Sequence, residues 1–412
     1  MNRWQWALRL LTRRMWFRAG LFCLFAVCLA LAGALVGHAI TYEFAVKVGA
    51  KSVDNILNVL ASSMLAVTTF SLTAMVSAYS GATSTITPRA VQLLVADTTA
   101  QNALATFLGS FLFAIVGIIA LSTGLYGESG RVILYAGTVL VIGFIVITFL
   151  RWIEHITHFG RVSDTIDRVE KAATDAARMM ARPPQAGARQ DREVPHDAAR
   201  VFHHRMGRIT HVDIPALEHA ANQIGGEIVL AALAGTFVDP SRFLAWATVP
   251  IDDEQAGMIR AAFTVEHDRA FDHDPRFGLV VLSEIASRAL SPAVNDPGTA
   301  IAVIEAGTRV LATMLNGEQA DEACAPTGVR VPPFALPDLL DDLYRPIARD
   351  GAGLIEVAIR LQKSLGALQA IAPHARRDFE NEARDALHRA CEAMISSDDR
   401  ERVTLIHRRY WA

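Results

Sequence analysis

Five side chains able to ligate a divalent cation or move a proton fall within eight positions of the stretch VEHDRAFDHDPRFG: His267, Asp268, Asp272, His273 and Asp274. Imidazole and carboxylate are common ligands of such ions. The spacing has no HExxH or comparable pattern, and Arg269 and Arg276 stand among the acids to answer them. A salt-bridged loop with no metal is therefore the expectation. His155 and His158 in EHITH are three apart and lack a third ligand, which predicts polar contacts at a membrane interface.

The stretch SEIASRALSPAVNDPGTAIAVIEAGTRVLATML (283–315) offers a different chemistry. A helix ends near Leu290, Ser291-Pro292 turns the chain, and Asp296 followed by Pro297 starts the next helix as N-cap and first helical residue. Capping explains the pattern mechanically. A helix N-terminus can also seat an anion or small ligand on its free amides, which makes Arg288, Asn295, Asp296 and Gly298 the candidate ligand-binding residues.

A third pattern is made of hydroxyls. In ASSMLAVTTFSLTAMVSAYSGATSTITPR (61–89), Ser62, Ala66, Thr69, Thr73, Ser77, Ser80 and Ser84 cover 22 residues in six steps, close to the about 3.6 residues of a helical turn. They share one face. Small hydroxyl residues let helices pack closely, or they line an aqueous path with weak polar groups that replace hydration without trapping an ion. No charge interrupts the stripe before Arg89, so neither a proton relay nor a charge-coupled pump is expected here. The candidate pore-lining residues are Ser62, Thr69, Thr73 and Ser77, with Arg89 at the headgroup level or a pore mouth.

Other chemistry is not visible. GxSxG, a P-loop, GxGxxG after a strand and a kinase set are missing, and Cys23, Cys28, Cys324 and Cys391 have no paired spacing. The expectation is a protein that is not an enzyme and needs no cofactor.

The elements that must position these residues follow from hydropathy. Of 412 residues, 52% are hydrophobic, and a mean hydropathy of +0.28 places part of the chain in lipid. The net charge of −3 gives no reason to expect nucleic acid as a partner. Stretches at 19–40, 57–80, 103–123 and 132–151 reach spanning length. The run before the first contains Arg3, Arg9, Arg13, Arg14 and Arg18 without an acid, which places the N-terminus in the cytoplasm and reads as a retained anchor rather than a cleaved signal. Loops 41–56 and 124–131 are then outside, and 81–102 and all after Arg151 inside. Residues 89–104 are expected along the interface.

The last span is expected to run on as a helix to about 182, followed by a linker at 183–195 rich in proline, glycine and charge. A small α/β unit (196–252) and a helical domain (253–412), with helices at 253–266, 276–290, 297–316, 334–350, 353–372 and 374–398, complete the chain. The fold class is thus membrane α-helical: four transmembrane helices followed by a cytoplasmic α/β unit and helical bundle.

RALSPAVNDPGTA (288–300), the preceding DPRFGLVVLSEIA (274–286), GTFVDPSRFLA (235–245) and TPRAV after the second span resemble the bacterial predicted membrane proteins of the domain-of-unknown-function 2254 family. The likeness covers nearly the whole chain. It implies a bacterial inner-membrane protein with four spans and a cytoplasmic domain, and carries no activity. Two functions are expected from the residues: a homo-oligomeric passive or gated pore in the lipid bilayer, or a membrane-anchored sensor or scaffold that binds a small ligand, ion or protein. In the second, residues 196–412 would fold and bind alone.

Overall fold

The computed structural model describes residues 15–36, 50–123, 128–181, 194–317 and 328–411. The linker expected at 183–195 and the loops flanking the first span lie mostly outside them, as do residues 37–40 of that span. The described chain divides into an apolar-helix unit, up to Ser84 and Val91–Arg161, and a sheet-bearing unit that joins Thr85–Ala90 to Val162 onward.

The apolar-helix unit contains α1 (Met15–Val36), α2 (Ala50–Thr85), the short α3 (Val91–Val95), α4 (Thr98–Ser122) and α5 (Glu128–His158). Long apolar runs without proline must take this form in lipid, where a helix satisfies its own backbone hydrogen bonds. Asp97 starts α4 by accepting the N–H of Ala100 at 2.8 Å. Four described stretches are long and apolar enough to cross a membrane: Val53–Gly81, Val91–Ser122, Arg131–His158 and Pro297–Asn316. The last belongs to the sheet-bearing unit, where it is enclosed by neighbouring helices. With 22 residues, α1 also reaches the about 20 that a bilayer requires.

The helix expected to continue beyond the last span is broken. α5 stops at His158, Gly160 takes φ +78°, and α6 (Val162–Ala181) begins a separate element of the sheet-bearing unit. Left-handed backbone at Gly160 ends the i→i−4 ladder. On α6 the buried Ile166, Val169, Ala173, Ala176 and Ala177 form one seam.

The rest of that unit comprises β1 (Ala199–Phe202), β2 (Gly207–Val212), α7 (Ile214–Ile224), β3 (Ile228–Leu230), β4 (Phe237–Val238), β5 (Phe243–Ala247), α8 (Asp253–Ala261), β6 (Phe263–Glu266), α9 (Pro275–Ala289), α10 (Pro297–Gly317), β7 (Val329–Arg330), α11 (Leu336–Asp350), α12 (Ile355–Ile371), α13 (Arg376–Ala393) and α14 (Ser397–Trp411). One sheet has the order β1-β5-β3-β7 and the other β4-β2-β6. All pairs are antiparallel except β3 with β7. Val201, Ile209, Leu217, Ile228, Leu244, Ile259 and Phe263 fill the core between them.

Two boundaries differ from expectation. The α/β unit runs past 252, because 263–266 is a strand whose Phe263 is buried while Glu266 is exposed, and because β7 returns from far along the chain. The expected helix 374–398 is a 3₁₀ turn (Pro373–Ala375) followed by α13, which stops at Ala393, and a further helix, α14, occupies Ser397–Trp411.

In the bundle, α10 packs against α6, α9 and α12. Tyr344 of α11 is fully buried and its hydroxyl lies 2.5 Å from Ser364 Oγ, itself 2.6 Å from Thr308 Oγ1. Tyr344→Phe removes one member of this chain and is expected to cost about 1–2 kcal/mol in an unfolding experiment, because Ser364 is left short of a partner.

Candidate functional site

The segments that carry the family resemblance converge on α9. At its N-terminus Asp274, 1% exposed, accepts the N–H of Phe277 at 3.0 Å and two bonds from Arg269, Nε to Oδ2 at 2.8 Å and Nη2 to Oδ1 at 3.0 Å. Burial pushes its carboxyl above the usual carboxylate range, and Arg269 opposes that shift. Gly235 lies flat against it: φ is +87°, and a Cβ there would stand 2.1 Å from Asp274 Oδ2. Arg208 holds the other side of that turn by donating to the Gly235 carbonyl at 2.8 Å. GTF (235–237) and DPRFG (274–278) are therefore two halves of one contact.

Further along, Gly278 lets α9 approach α6 so closely that a Cβ would sit 2.3 Å from that of Ala173. Arg276 turns away from the acids of its own loop and reaches α11, meeting Asp342 at 2.6 Å and Asp338 at 2.9 Å. The expectation that Arg276 answers the 267–274 carboxylates is corrected here. Arg269 does answer one of them. Among the described residues no group of three or more His, Cys, Asp or Glu is placed to hold a metal ion.

The third contact is Glu284. Thr87 Oγ1 donates to its Oε2 at 2.9 Å, and Arg89 pairs with its Oε1. Ile86, Thr87 and Ala90 are buried in the same unit. Arg89, expected at the headgroup level or a pore mouth, is instead half of an ion pair in the sheet-bearing unit. Nothing in the period of either segment points to this contact, since its partners are 197 residues apart.

Past Leu290 the motif loop turns back on itself. Asn295 and Asp296 donate their N–H groups to Ser291 and Ala289 at 2.8 Å each, and Asn295 takes φ +49°. Asp296 accepts the N–H of Thr299 at 3.1 Å and its hydroxyl at 2.6 Å. Those bonds hold its carboxyl below the usual range. Arg288, Asn295, Asp296 and Gly298 are all exposed. The amide that a bound anion would use at this helix start is taken by the Asp296 carboxylate, as in an ordinary N-cap.

On α2 the hydroxyl stripe is outside the chain's own packing. Val53, Leu57, Leu60, Ala61, Met64, Ser71 and Met75 are buried, whereas Ser62, Ala66, Thr69, Thr73, Ser77 and Ser80 are exposed. At about 100° per residue the two sets are centred on opposite faces. Among the described residues the stripe makes no buried contact within the chain. Ser62, Thr69 and Thr73 donate to carbonyls four residues earlier at 2.9, 3.0 and 3.0 Å. Periodicity alone does not single out Ser71, whose Oγ is buried without a hydrogen-bond partner. His155 is half-buried with Nε2 3.1 Å from Asp97 Oδ1, and His158 is exposed.

The family described as "Predicted membrane protein (DUF2254)" matches residues 12–367. Uncharacterized proteins of Mycobacterium bovis and Mycobacterium tuberculosis are each 25% identical over 242 residues, 54% of this chain and 45% of the relative. The chain thus spans about half the length of the curated relatives it matches. No solved structure matches it.

Proposed function

The chain belongs to the DUF2254 family of predicted membrane proteins, and from that premise we propose that several copies assemble with their α2 stripes around a passive or gated path. The supporting observation is the exposed hydroxyl face of α2, opposite the core. Because Ser62, Thr69 and Thr73 spend their protons on their own helix, their oxygen lone pairs are what they offer to a path. Such a lining favours cations over anions. The reading assigns no catalytic chemistry, and it places the protein in a bacterial inner membrane with the sheet-bearing unit in the cytoplasm, in line with the N-terminal arginines.

The test is solute and ion leak from liposomes holding purified full-length protein, with oligomeric mass measured in the same preparation. Leak should scale with protein, favour cations, and change severalfold in Thr69→Leu or Thr73→Leu. A monomer in tight vesicles, or leak indifferent to both substitutions, sinks the pore.

A second reading, a membrane-anchored sensor, is favoured by the contact of Thr87 and Arg89 with Glu284, since it ties the chain between α2 and α3 to the helix bearing the motif loop. The Arg89 side chain is 56% exposed, so the attraction itself is worth only about 0.5–1 kcal/mol. Arg89→Glu should speed hydrogen exchange across residues 86–90, and Glu284→Arg in the same chain should restore protection. If the single reversal leaves exchange unchanged, the pair does not fasten this segment.

A further inference from the structure

We propose that the end of the two sheets formed by residues 203–206 and 239–242 is a membrane-contact surface that enters the headgroup layer of an anionic bilayer. The register places these two connections side by side. Phe202 of β1 pairs with Phe243 of β5, and Gly207 of β2 pairs with Val238 of β4, so both four-residue links cross between the same two sheets at the same end.

The surface is apolar at its centre and basic around it. Met206 is 62% exposed, Phe237 47% and Phe202 36%. Arg200, Arg205 and Arg242 are exposed beside them. Arg200 lies over the Phe243 ring and Arg208 over the Phe237 ring, each 5.6 Å from the centroid. Of the nearby acids, Asp239 is turned onto the Ser241 N–H and hydroxyl at 2.7 and 2.5 Å, and the exposed Glu266 lies opposite Arg208 in the register. Exposed apolar tips inside a ring of arginines suit the boundary between acyl chains and anionic headgroups, where each part meets its preferred solvent. Charge complementarity selects the occupant. The chain also carries its own membrane helices, and the covalent link to them raises the effective concentration of the sheet-bearing unit at a bilayer.

The experiment uses full-length protein in which Cys23, Cys28, Cys324 and Cys391 are alanine and a spin label is attached at Met206→Cys. It is reconstituted in vesicles of phosphatidylcholine alone or of equal parts phosphatidylcholine and phosphatidylglycerol. The label should become accessible to oxygen and shielded from a water-soluble nickel chelate in the anionic vesicles only. High salt should return it to water. Each arginine is worth about fivefold in partition, so Arg200→Gln, Arg205→Gln and Arg242→Gln together should lower the ratio of engaged to free surface about a hundredfold. A label at Ile395→Cys, on a residue 97% exposed and outside this surface, should stay in water throughout.

Tryptic cleavage after Arg205 in the unsubstituted protein gives a second measurement, slower in anionic than in neutral vesicles. Equal nickel access in both lipids with equal cleavage overturns the proposal. So does shielding that is already complete in detergent, which would assign the surface to a protein or a second copy.

Discussion

Asp274→Ala is expected to lower the stability of the sheet-bearing unit by about 3–5 kcal/mol, the largest loss of any single substitution considered. The carboxylate is nearly inaccessible, and it joins three pieces of chain: its own helix through Phe277 N–H, the preceding loop through Arg269, and the 235–237 turn by direct contact with Gly235. Removing it leaves Arg269 partly buried without its partner, and breaking a buried pair in this way costs about 3–5 kcal/mol. Loss of the N-cap adds about 1 kcal/mol, partly offset by relaxation into the vacated space. Gly235→Ala attacks the same contact from the other side, forcing a Cβ onto the carboxylate at a backbone angle that disfavours any side chain. Chemical denaturation followed by the unit's tryptophan signal should show both variants unfolding at much lower denaturant than the parent. An unchanged midpoint for Asp274→Ala would mean that α9 is not held at this end.

Glu382→Gln should act in the opposite direction, and only at high pH. Burial pushes the Glu382 carboxyl up to about 7, and the charges of Asp341 and Asp385 add to the shift against Arg345 and Arg389. The two arginines are engaged by those aspartates, at 2.8 and 2.7 Å, and Glu382 Oε1 is buried without a partner. Because the folded value is raised above that of the unfolded chain, the protonated acid supports the fold at low pH. That support is lost as pH rises from about 4.5 to about 7, at a total near 3 kcal/mol above it. Glutamine carries no such penalty. Melting at pH 8 should therefore rise by about 6–10 °C in Glu382→Gln, while the difference at pH 5 stays below about 1 kcal/mol. A variant that melts with the parent at both pH values would show that Glu382 is solvated and ionised without cost.

Much of the architecture was legible because it depends on local properties. Apolar runs announced α2, α4 and α5, and Asp296-Pro297 announced the start of α10. What escaped depends on contacts between distant residues. The helix break at Gly160 is a single residue inside a pattern that stays periodic on both sides. β7 is two residues long and exists only because β3 offers an edge to it. Arg89 has the type expected at a headgroup, and only the folded chain gives it Glu284. The stripe on α2 was legible as a face but not as inward or outward, since Leu57, Met64 and Met75 are no more apolar than the exposed Leu65, Phe70 and Leu72. An isolated 196–412 fragment, expected to fold alone, would lack both α6, against which Gly278 is fitted, and residues 85–90, which bury Ile86 and Ala90 in the unit.

That last segment also sets a timetable for biosynthesis. Residues 85–90 emerge from the ribosome between two apolar helices, yet the glutamate that completes them is 197 positions further on. At about 5–20 residues per second, translation delivers that partner roughly 10–40 s later. Throughout that interval α2 and α4 can enter the bilayer while the strap between them waits unpaired, so insertion precedes docking, and a nascent chain arrested before α9 should carry a 85–90 segment open to proteases.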